Sequence, residues 1–491
     1  MAVALLSRTQ HNGRFMRSLP FLKMIGLSLF AGLATLPMGC GSTPEMAECA
    51  ESNLIRGVCA GVPPNPICSE DLCTADVECT QVTNVSNDSE LENALGEAAS
   101  GSCIALAPGS YGVVSLPSGV SLLGKSAEVV TVQGVSVAQG AGGVIRGLKV
   151  TGDGVSVAAD AEVTLEAVQI DGASAVGLTV ESGANVTVAK TSVAGSGKHG
   201  VKLVDGAVLS ASESIIEDND GPGIWSVCED GCNCVNPPSL TLTDSIVRGN
   251  HVGGVVLFGT VATVERVDIV STLVGDDFMF GEGGGGLSVN ECSDLMAKSL
   301  QVLDSQSFGV LIDDSNAQMG ETADEGGVLV SGNEIGVWVQ HISLSEAQTV
   351  RLEGLTAEDN YGVGIGADGD TVGLIICKTA ITGTAEALLP ITAGVTEQVG
   401  DGLLWLGGSE LTIEGLTVGG SARASIVIDG EASGSMTNVV LEGGDESKGI
   451  LQQNYAGGSQ PQVGSNAPAI STSDAEEFAM PEPPATLSSG L

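Results

Sequence analysis

Pairs of oxygen-bearing side chains recur in the second half of this 491-residue chain. Each pair follows, by a few residues, a glycine that begins a short apolar run, so stacking of successive runs would bring the pairs into one column. Hard cations such as calcium take about six to eight oxygen ligands. The pattern is compatible with a calcium site, but a solvated acidic edge is the favoured interpretation in a chain this acidic. The candidate ligands are Glu291, Asp313, Asp314, Asp368 and Asp370.

Cysteines form two groups with distinct chemistry. The first lies in a Pro-containing segment with too few apolar residues for a core of its own, so disulfides are expected to hold it together. Cys103 is its natural sixth member and is expected to pair with Cys79, although spacing alone does not fix the connectivity. The second group predicts two disulfides, with a four-cysteine zinc site as the alternative. The disulfide candidates are Cys49, Cys59, Cys68, Cys73, Cys79, Cys103, Cys228, Cys232, Cys234 and Cys292.

Side chains for other chemistry are scattered. Glycoside hydrolysis needs two carboxylates about 5 to 10 Å apart, but any stack of coils places some aspartates at that distance. His199, His251 and His341 lie in separate repeats and predict no metal set. Cys377 lies in an apolar run and is expected to be a buried free thiol.

The elements that must position these residues follow from a repeat. Gly154, Gly177, Gly200 and Gly223 are 23 residues apart, and each begins a short apolar run. A period between about 20 and 50 residues indicates a solenoid, in which each unit buries its apolar face on its neighbours. Val, Ile and Thr alternate with polar residues between the glycines, which favours short strands. The absence of a leucine frame and of a six-residue period excludes a leucine-rich repeat and a left-handed hexapeptide helix, and leaves a parallel β-helix.

Asparagines mark one corner of the repeat. Asn219, Asn250 and Asn360 each precede a repeat glycine by four residues, and Asn333 precedes its glycine by three. Asn tolerates left-handed turn geometry, and its amide can hydrogen-bond the Asn of the next coil. We therefore predict a structural Asn ladder, the alternative being that Asn is simply common in turns.

The Asn-x-x-x-Gly-Ile/Val pattern resembles the right-handed parallel β-helix repeat of pectin-lyase-like proteins. The segment from Ser89 to Tyr111 also resembles the short capping helix, first strand and Pro-Gly-x-Tyr turn of that family, with Asp88 or Ser89 as the expected N-cap. The resemblance implies an all-β fold: a right-handed parallel β-helix of about 12 to 14 coils with a short N-terminal capping helix. Polygalacturonase-like members carry four motifs in order. Only paired aspartates and a distant likeness at Lys198-His199-Gly200 match them here.

The N-terminus is typical of an exported protein. Basic residues precede an apolar run over 24–36 that is too short to span a membrane, as in a signal peptide over residues 1–39. The following Leu-Pro-Met-Gly-Cys resembles the bacterial lipobox, although Leu36 lies one place further from Cys40 than usual. This resemblance implies lipidation of Cys40, a membrane anchor through that lipid and, with Gly41 next, outer-membrane or cell-surface sorting. Ordinary secretion or a periplasmic location is the alternative.

Charge limits the partners. The chain has 18 basic and 60 acidic residues, a net charge of −42, and loss of the leader lowers this to −46. Such a surface excludes nucleic acid and argues against polyuronates unless divalent cations bridge the repulsion. A polysaccharide partner is still compatible with this charge, and we expect a monomer. Calcium is the only cofactor the sequence suggests.

The predicted organisation is a cysteine-rich segment over 40–83, the β-helix over 84–455 and a low-complexity tail over 456–491. With no catalytic motif in view, the expected function is an envelope-anchored scaffold that displays loops for surface or glycan binding. The alternative is a polysaccharide lyase or glycoside hydrolase. A groove with convergent acids and an exposed platform from Trp225, Trp338 or Trp405 would favour the enzyme.

Overall fold

The computed structural model describes residues 54–55, 58–59, 77–275, 283–321, 327–340, 348–369, 372–392, 395–407, 410–442, 449–455, 457–475, 478–481 and 483–484. The chain divides into two units, Met1–Ser52 and Asn53–Leu491, and every described residue belongs to the second. The predicted signal peptide, Cys40 and Cys49 lie outside the described residues, as do Cys68 and Cys73. No helix within the described ranges has the length and apolar character of a membrane span.

Each coil of the second unit contributes to three parallel sheets, which we name A, B and C in chain order. One turn runs through Val155–Val157 in sheet A, Glu162–Glu166 in sheet B and Gln169–Ala173 in sheet C. The next turn begins at Leu178, which pairs with Val155 in parallel register. The 23-residue spacing is therefore the length of one coil, and the predicted right-handed parallel β-helix is confirmed.

Sheet A has strands of eight residues at its start, three residues at Val155–Val157 and six residues from Gly253–Phe258 to Ala424–Asp429. Its first two strands, Gly109–Leu116 and Val130–Val137, turn the corner from sheet C into sheet A. The strands of sheet A are Gly109–Leu116, Val130–Val137, Val155–Val157, Leu178–Val180, Val201–Val204, Ile224–Val227, Gly253–Phe258, Gly285–Asn290, Phe308–Asp313, Ile335–Gln340, Val363–Asp368, Asp401–Leu406, Ala424–Asp429, Ile450–Gln453 and Ile470–Thr472.

Sheets B and C share five long strands that bend from one sheet into the other. Sheet B comprises Gln81–Val85, Ser102–Leu106, Ser121–Gly124, Gly142–Arg146, Glu162–Glu166, Asn185–Ala189, Val208–Ser212, Asp294–Lys298, Asn316–Met319, Gln348–Glu353 and Gln462–Val463. Sheet C comprises Lys149–Gly152, Gln169–Ala173, Ser192–Ala194, Ile215–Glu217, Gln301–Leu303, Val328–Ser331 and Leu355–Glu358, with parts of the two early corner strands. The shared strands are Ser239–Arg248, Val261–Val270, Val372–Thr382, Glu410–Gly419 and Ser433–Glu442.

The interior of the stack is a continuous apolar column. Alternate residues of each strand point inward, and Val, Ile, Leu and Ala dominate the buried set, as expected for a chain with 3% aromatic residues. Outside the stack are two antiparallel hairpins, Leu54–Ile55 with Val58–Cys59 and Ala387–Thr392 with Val395–Val399. We call the second one the sheet A hairpin. A short 3-10 helix covers Gly231–Asn233.

The predicted capping helix forms over Asp88–Glu97 and buries Leu91 and Ala94. Its N-cap is Asn87, whose side chain accepts a hydrogen bond from the Glu90 amide at 3.0 Å, so the expected cap at Asp88 or Ser89 was one or two residues late. The Glu90 carboxylate accepts from the Ser86 amide at 2.8 Å, one residue before the amide that a standard capping box would use.

Both boundaries of the predicted β-helix need correction. Sheet B already begins at Gln81, because Gln81–Val85 pairs in parallel with Ser102–Leu106. At the other end the predicted tail contributes Gln462–Val463 to sheet B and Ile470–Thr472 to sheet A. Backbone pairing with the exposed edge of the stack, at its first coil for Gln81–Val85 and at its last coil for the other two strands, explains these additions, since an unpaired edge is costly and pairing needs few apolar side chains.

Candidate functional site

The cysteine loop, residues 228–234, crosses the corner from sheet A to sheet B. Cys228 pairs with Cys234 inside the loop, and Cys232 pairs with Cys292 two coils further along the stack, with Cα–Cα distances of 6.0 and 5.0 Å. The Asp205 carboxylate lies beside the first pair and accepts a hydrogen bond from the Glu229 amide at 2.8 Å. Both thiol pairs are used in disulfides, so the structure has two disulfides where zinc was the alternative.

Two further cysteine predictions have a defined place. Cys79 and Cys103 form a disulfide with a Cα–Cα distance of 5.5 Å, which ties the segment before the helix cap to the second strand of sheet B. Cys377 is buried with a free thiol. Burial raises the pKa of the Cys377 thiol, which makes it a poor nucleophile. Of Cys59, only the backbone is described.

The predicted calcium ligands do not converge. Strand pairing places Gln340 opposite both Asp313 and Asp368, so an amide separates these carboxylates by two coil steps, about 10 Å. Asp313 and Asp314 are buried, at 4% and 6% exposure, so they do not form a solvated edge either. The described residues offer one group of three possible metal-ligand atoms within 4.8 Å, and it is Asp205 with the disulfide-bonded Cys228 and Cys234. Asp370 lies outside the described residues.

The corner asparagines contact one another across coils. The Asn219 amide nitrogen donates to the Asn250 amide oxygen at 2.7 Å, and Asn333 donates in the same way to Asn360 at 3.0 Å. All four side chains are at most 1% exposed. Thr272 and Ser305 occupy the equivalent corners between the two pairs, so the column consists of two asparagine steps rather than one continuous ladder.

Buried Ser and Thr side chains form two columns at the other two corners of the coil, which the sequence did not predict. At the corner from B to C, the Thr191 amide donates to Ser214 Oγ at 3.3 Å and the Ser214 amide donates to Ser245 Oγ at 3.1 Å. At the corner from A to B, the Thr260 amide donates to Ser293 Oγ at 3.0 Å. Ser and Thr recurring at the coil length was the available signal. The buried hydroxyl oxygens of Ser214, Ser245 and Ser293 thus accept hydrogen bonds from backbone amides of the preceding coil, which is a structural role.

Sheet A is buried on both faces from Gly253 to Gln453, unlike the other two sheets. Outward-pointing apolar residues of sheet A pack with the sheet A hairpin into what we call the outer apolar cluster. Its members are Phe308, Leu311, Ile335, Trp338, Val363, Leu389, Val399, Leu404, Ala424 and Val427. A sheet covered on both faces reads as a continuous apolar run, and the sequence shows this at Gly-Val-Leu-Ile and Gly-Val-Trp-Val.

None of the three tryptophans is available as a sugar platform. Trp225 is 2% exposed, and Trp338 and Trp405 are 0% exposed. Trp225 lies between His199, which stacks on it at a centroid distance of 5.3 Å, and Phe258 at 4.9 Å. Tyr361 differs, with 50% of its surface exposed at the corner from C to A, directly after the buried Asn360.

A lyase needs a basic residue to remove a proton, and the five arginines of the described residues are all ion-paired. Four bridge neighbouring coils, pairing Arg146 with Glu166, Arg248 with Glu217, Arg266 with Asp244 and Arg423 with Asp401, while Arg351 pairs with Glu353 on its own strand. Hydrogen bonding to Glu353 raises the pKa of Arg351, and hydrogen bonding to Asp244 raises the pKa of Arg266. A base must be deprotonated to act, so these environments oppose that role.

The remaining catalytic candidates stay apart. His251 lies in a corner, where its Nδ1 is 3.1 Å from the Asn219 carbonyl oxygen, and His341 is not described. A shallow depression of about 300 Å³ is lined by 115–117 and 136–138, which include no carboxylate, histidine or arginine. An internal void of about 10 Å³ near Leu178 is apolar and far too small for a sugar.

Comparisons with known proteins agree with the coil geometry. Residues 118–271 match the family model described as a right-handed β-helix region. No curated protein matches the chain. Structures similar to this chain include the catalytic unit of a thermostable GH87 α-1,3-glucanase from Streptomyces thermodiastaticus strain HF3-3, with 13% identity over 82% of this chain and 69% of that chain and a TM-score of 0.32.

Two other similar structures have equally low scores. Pectate lyase Pel9A shares 15% identity over 61% of this chain and 81% of that chain, with a TM-score of 0.29. The A-module of the Azotobacter vinelandii mannuronan C-5 epimerase AlgE4 shares 10% over 83% and 97%, with a TM-score of 0.29. TM-scores of this size support no argument by themselves, so the assignment rests on the strand register and the family match. The chain is a right-handed parallel β-helix protein.

Proposed function

We propose that this protein is a non-catalytic scaffold on the cell envelope that binds a surface glycan through the corner loops of its β-helix. The observation that carries the proposal is where the sugar-contacting residue types lie. The tryptophans are buried and the arginines that the structure describes are ion-paired, whereas Tyr361 presents half of its surface at a corner.

Hydrogen bonds fix the backbone at the corner that carries the Tyr361 side chain. The Tyr361 amide donates to the Asn333 carbonyl oxygen at 2.8 Å, and the side chain of the preceding Asn360 is fixed by its own hydrogen bonds. The sheet A hairpin starts from the neighbouring coil and exposes Leu388 and Val395, at 63% and 47%. Aromatic and apolar surface on a fixed support suits the apolar face of a neutral sugar. The charge of −42 disfavours a polyanionic glycan.

A polysaccharide panel tests this proposal. Purified mature protein is incubated with neutral and acidic polysaccharides, and both bound protein and released product are measured. We expect saturable binding to a neutral polysaccharide and no new reducing ends or unsaturated sugars. Tyr361→Ala should weaken binding at least tenfold, and Tyr361→Phe should retain it because the ring is kept. Product release by the wild-type chain would instead establish the alternative, a polysaccharide lyase or glycoside hydrolase.

The envelope location is a separate part of the proposal. It is supported by the signal-peptide pattern over 1–39 and by the lipobox-like sequence that ends at Cys40. Several acyl chains on this cysteine would hold the protein stably at a membrane, since a single chain binds only marginally. The full wild-type chain and its Cys40→Ser variant are expressed in parallel. The wild-type chain should be found in the membrane fraction, and the variant should be found in the soluble fraction. Equal membrane retention of both would refute lipid anchoring.

A further inference from the structure

The C-terminal segment lies on the outer apolar cluster of sheet A. We call residues 478–481 and 483–484 the strap. Phe478 and Met480 both pack against the cluster, while Ala479 lies between them. Side chains two residues apart on an extended chain point to the same side, so this spacing fits a strap in extended conformation. The sequence alone predicted a low-complexity tail lacking core residues here, and the two large apolar side chains explain the difference.

Side chains of the β-helix hold the strap backbone. The Gln453 amide pairs with both backbone groups of Phe478, donating to its carbonyl oxygen at 2.7 Å and accepting from its amide at 2.8 Å. Arg423 donates to the Ala479 carbonyl oxygen at 2.9 Å, and its guanidinium lies over the Phe478 ring, 5.0 Å from the centroid. Arg423 is itself fixed by the fully buried carboxylate of Asp401. The groove thus recognises a peptide backbone and one aromatic ring at the same place.

The strap runs along the stack and crosses the strands. Phe478 is bound at the strand Ile450–Gln453, and the Pro484 carbonyl oxygen accepts from Gln340 at 3.5 Å, on the strand Ile335–Gln340. These strands are four pairing steps apart, about 19 Å at about 4.8 Å per step. The strap therefore crosses the strands of sheet A and does not follow any one of them.

The strap is held by side chains of the β-helix and not by strand pairing. Phe478, Ala479 and Met480 are partly buried, Pro481 is buried, and none of the described strap residues belongs to a strand. Hydrogen bonds reach it from the side chains of Gln453, Arg423 and Gln340. A segment without ladder pairing at the end of a chain belongs to the part of a protein that opens locally before the core.

We propose that this groove on sheet A is a peptide-binding site, and that the strap is its intramolecular occupant. The partner it fits is an extended protein segment with large apolar side chains at alternate positions, an aromatic one first, and a small residue between them. The guanidinium of Arg423 binds the aromatic ring and the carbonyl oxygen of the next residue. The Gln453 side-chain amide hydrogen-bonds the backbone N–H and C=O of the aromatic residue. The inference does not depend on the glycan proposal.

The test uses the full mature chain and a fluorescent peptide with the sequence of residues 474–484. The double variant Phe478→Ala/Met480→Ala weakens the strap and should bind the peptide saturably, at least tenfold more tightly than the wild-type chain. The wild-type strap competes at an effective concentration of about millimolar. Thr472→Ala, an exposed change just before the strap, is the matched control and should behave like wild type. A peptide with both apolar residues changed to Ala should not bind.

Two outcomes would overturn the proposal. The first is no saturable binding by the double variant while hydrogen exchange shows that the strands of sheet A stay protected. The second is concentration-dependent dimerisation of the wild-type chain that the peptide cannot inhibit, which would assign the groove to a second copy. If the double variant does not fold, Met480→Ala alone takes the same test with the same expected direction.

Discussion

Replacing Asn250 by Ala should remove more stability than its size suggests, because this side chain satisfies three buried groups. Its oxygen accepts from the backbone amide of Asn219 at 3.2 Å and from the Asn219 side chain at 2.7 Å. Its nitrogen donates to the Ile216 carbonyl oxygen at 3.0 Å. An unsatisfied buried polar group costs about 1–3 kcal/mol, so Asn250→Ala should lower the free energy of unfolding by roughly 3 to 5 kcal/mol.

Urea denaturation, followed by hydrogen exchange at the Asn219 amide, measures this loss. Exchange is needed because coils interact mainly with their neighbours and the loss can be local. Asn185→Ala is the matched control, since Asn185 is exposed on sheet B and should cost below about 0.5 kcal/mol. Asn250→Ser should fall between them, because Ser305 occupies an equivalent corner. If Asn250→Ala costs no more than Asn185→Ala, the interpretation of the asparagine column is wrong.

Three further predictions test other parts of the fold. Burial raises the pKa of Asp401 above its ordinary 3.8, so the folded state holds a proton that the unfolded state has lost. This group lowers stability as pH rises through that window, and the free energy of unfolding of Asp401→Asn should therefore climb more steeply with pH above 3.8 than that of wild type; a shallower slope contradicts this. Gly366→Ala would place a Cβ 2.2 Å from the Trp338 ring and should cost about 1–3 kcal/mol, whereas Gly96→Ala, with nothing within 4 Å, should gain up to about 1 kcal/mol in thermal unfolding. Equal signs for the two glycine changes would refute the packing argument. Serine replacement of the longer disulfide of the cysteine loop, with a sequence separation of 60, should cost about 4 kcal/mol against about 2 for the shorter, with a separation of 6, and the reverse order in urea denaturation would contradict the loop-entropy reasoning.

The parts of the fold that repeat were predictable from local pattern. The spacing of Gly154 and Gly177 is one coil, and Val155 pairs with Leu178 as that spacing requires. The corner position of Asn219 and Asn250 was visible for the same reason, because identical surroundings return at each turn. Cys103 was identified as the partner of Cys79, since it lies on the neighbouring strand.

The candidate site was less predictable, because it depends on which residues lie outside the repeat. Spacing alone suggested that Asp313 and Asp368 could share an ion, but Gln340 lies between them in the strand order. The buried state of Trp338 and Trp405 also needed coordinates. A strand pattern shows that alternate residues share a face and does not show what covers it.

The sequence by itself determined the solenoid, its coil length, its parallel strands and its capping helix, because each depends on contacts between residues a fixed number of positions apart. The tertiary structure alone decided which segments cover the outer face of sheet A. It also decided that the C-terminal segment returns along the stack, with Pro484 contacting Gln340 across 144 residues of sequence. Such a contact has no period. It forms because outward apolar side chains lower the free energy by leaving water, whichever part of the chain can reach them.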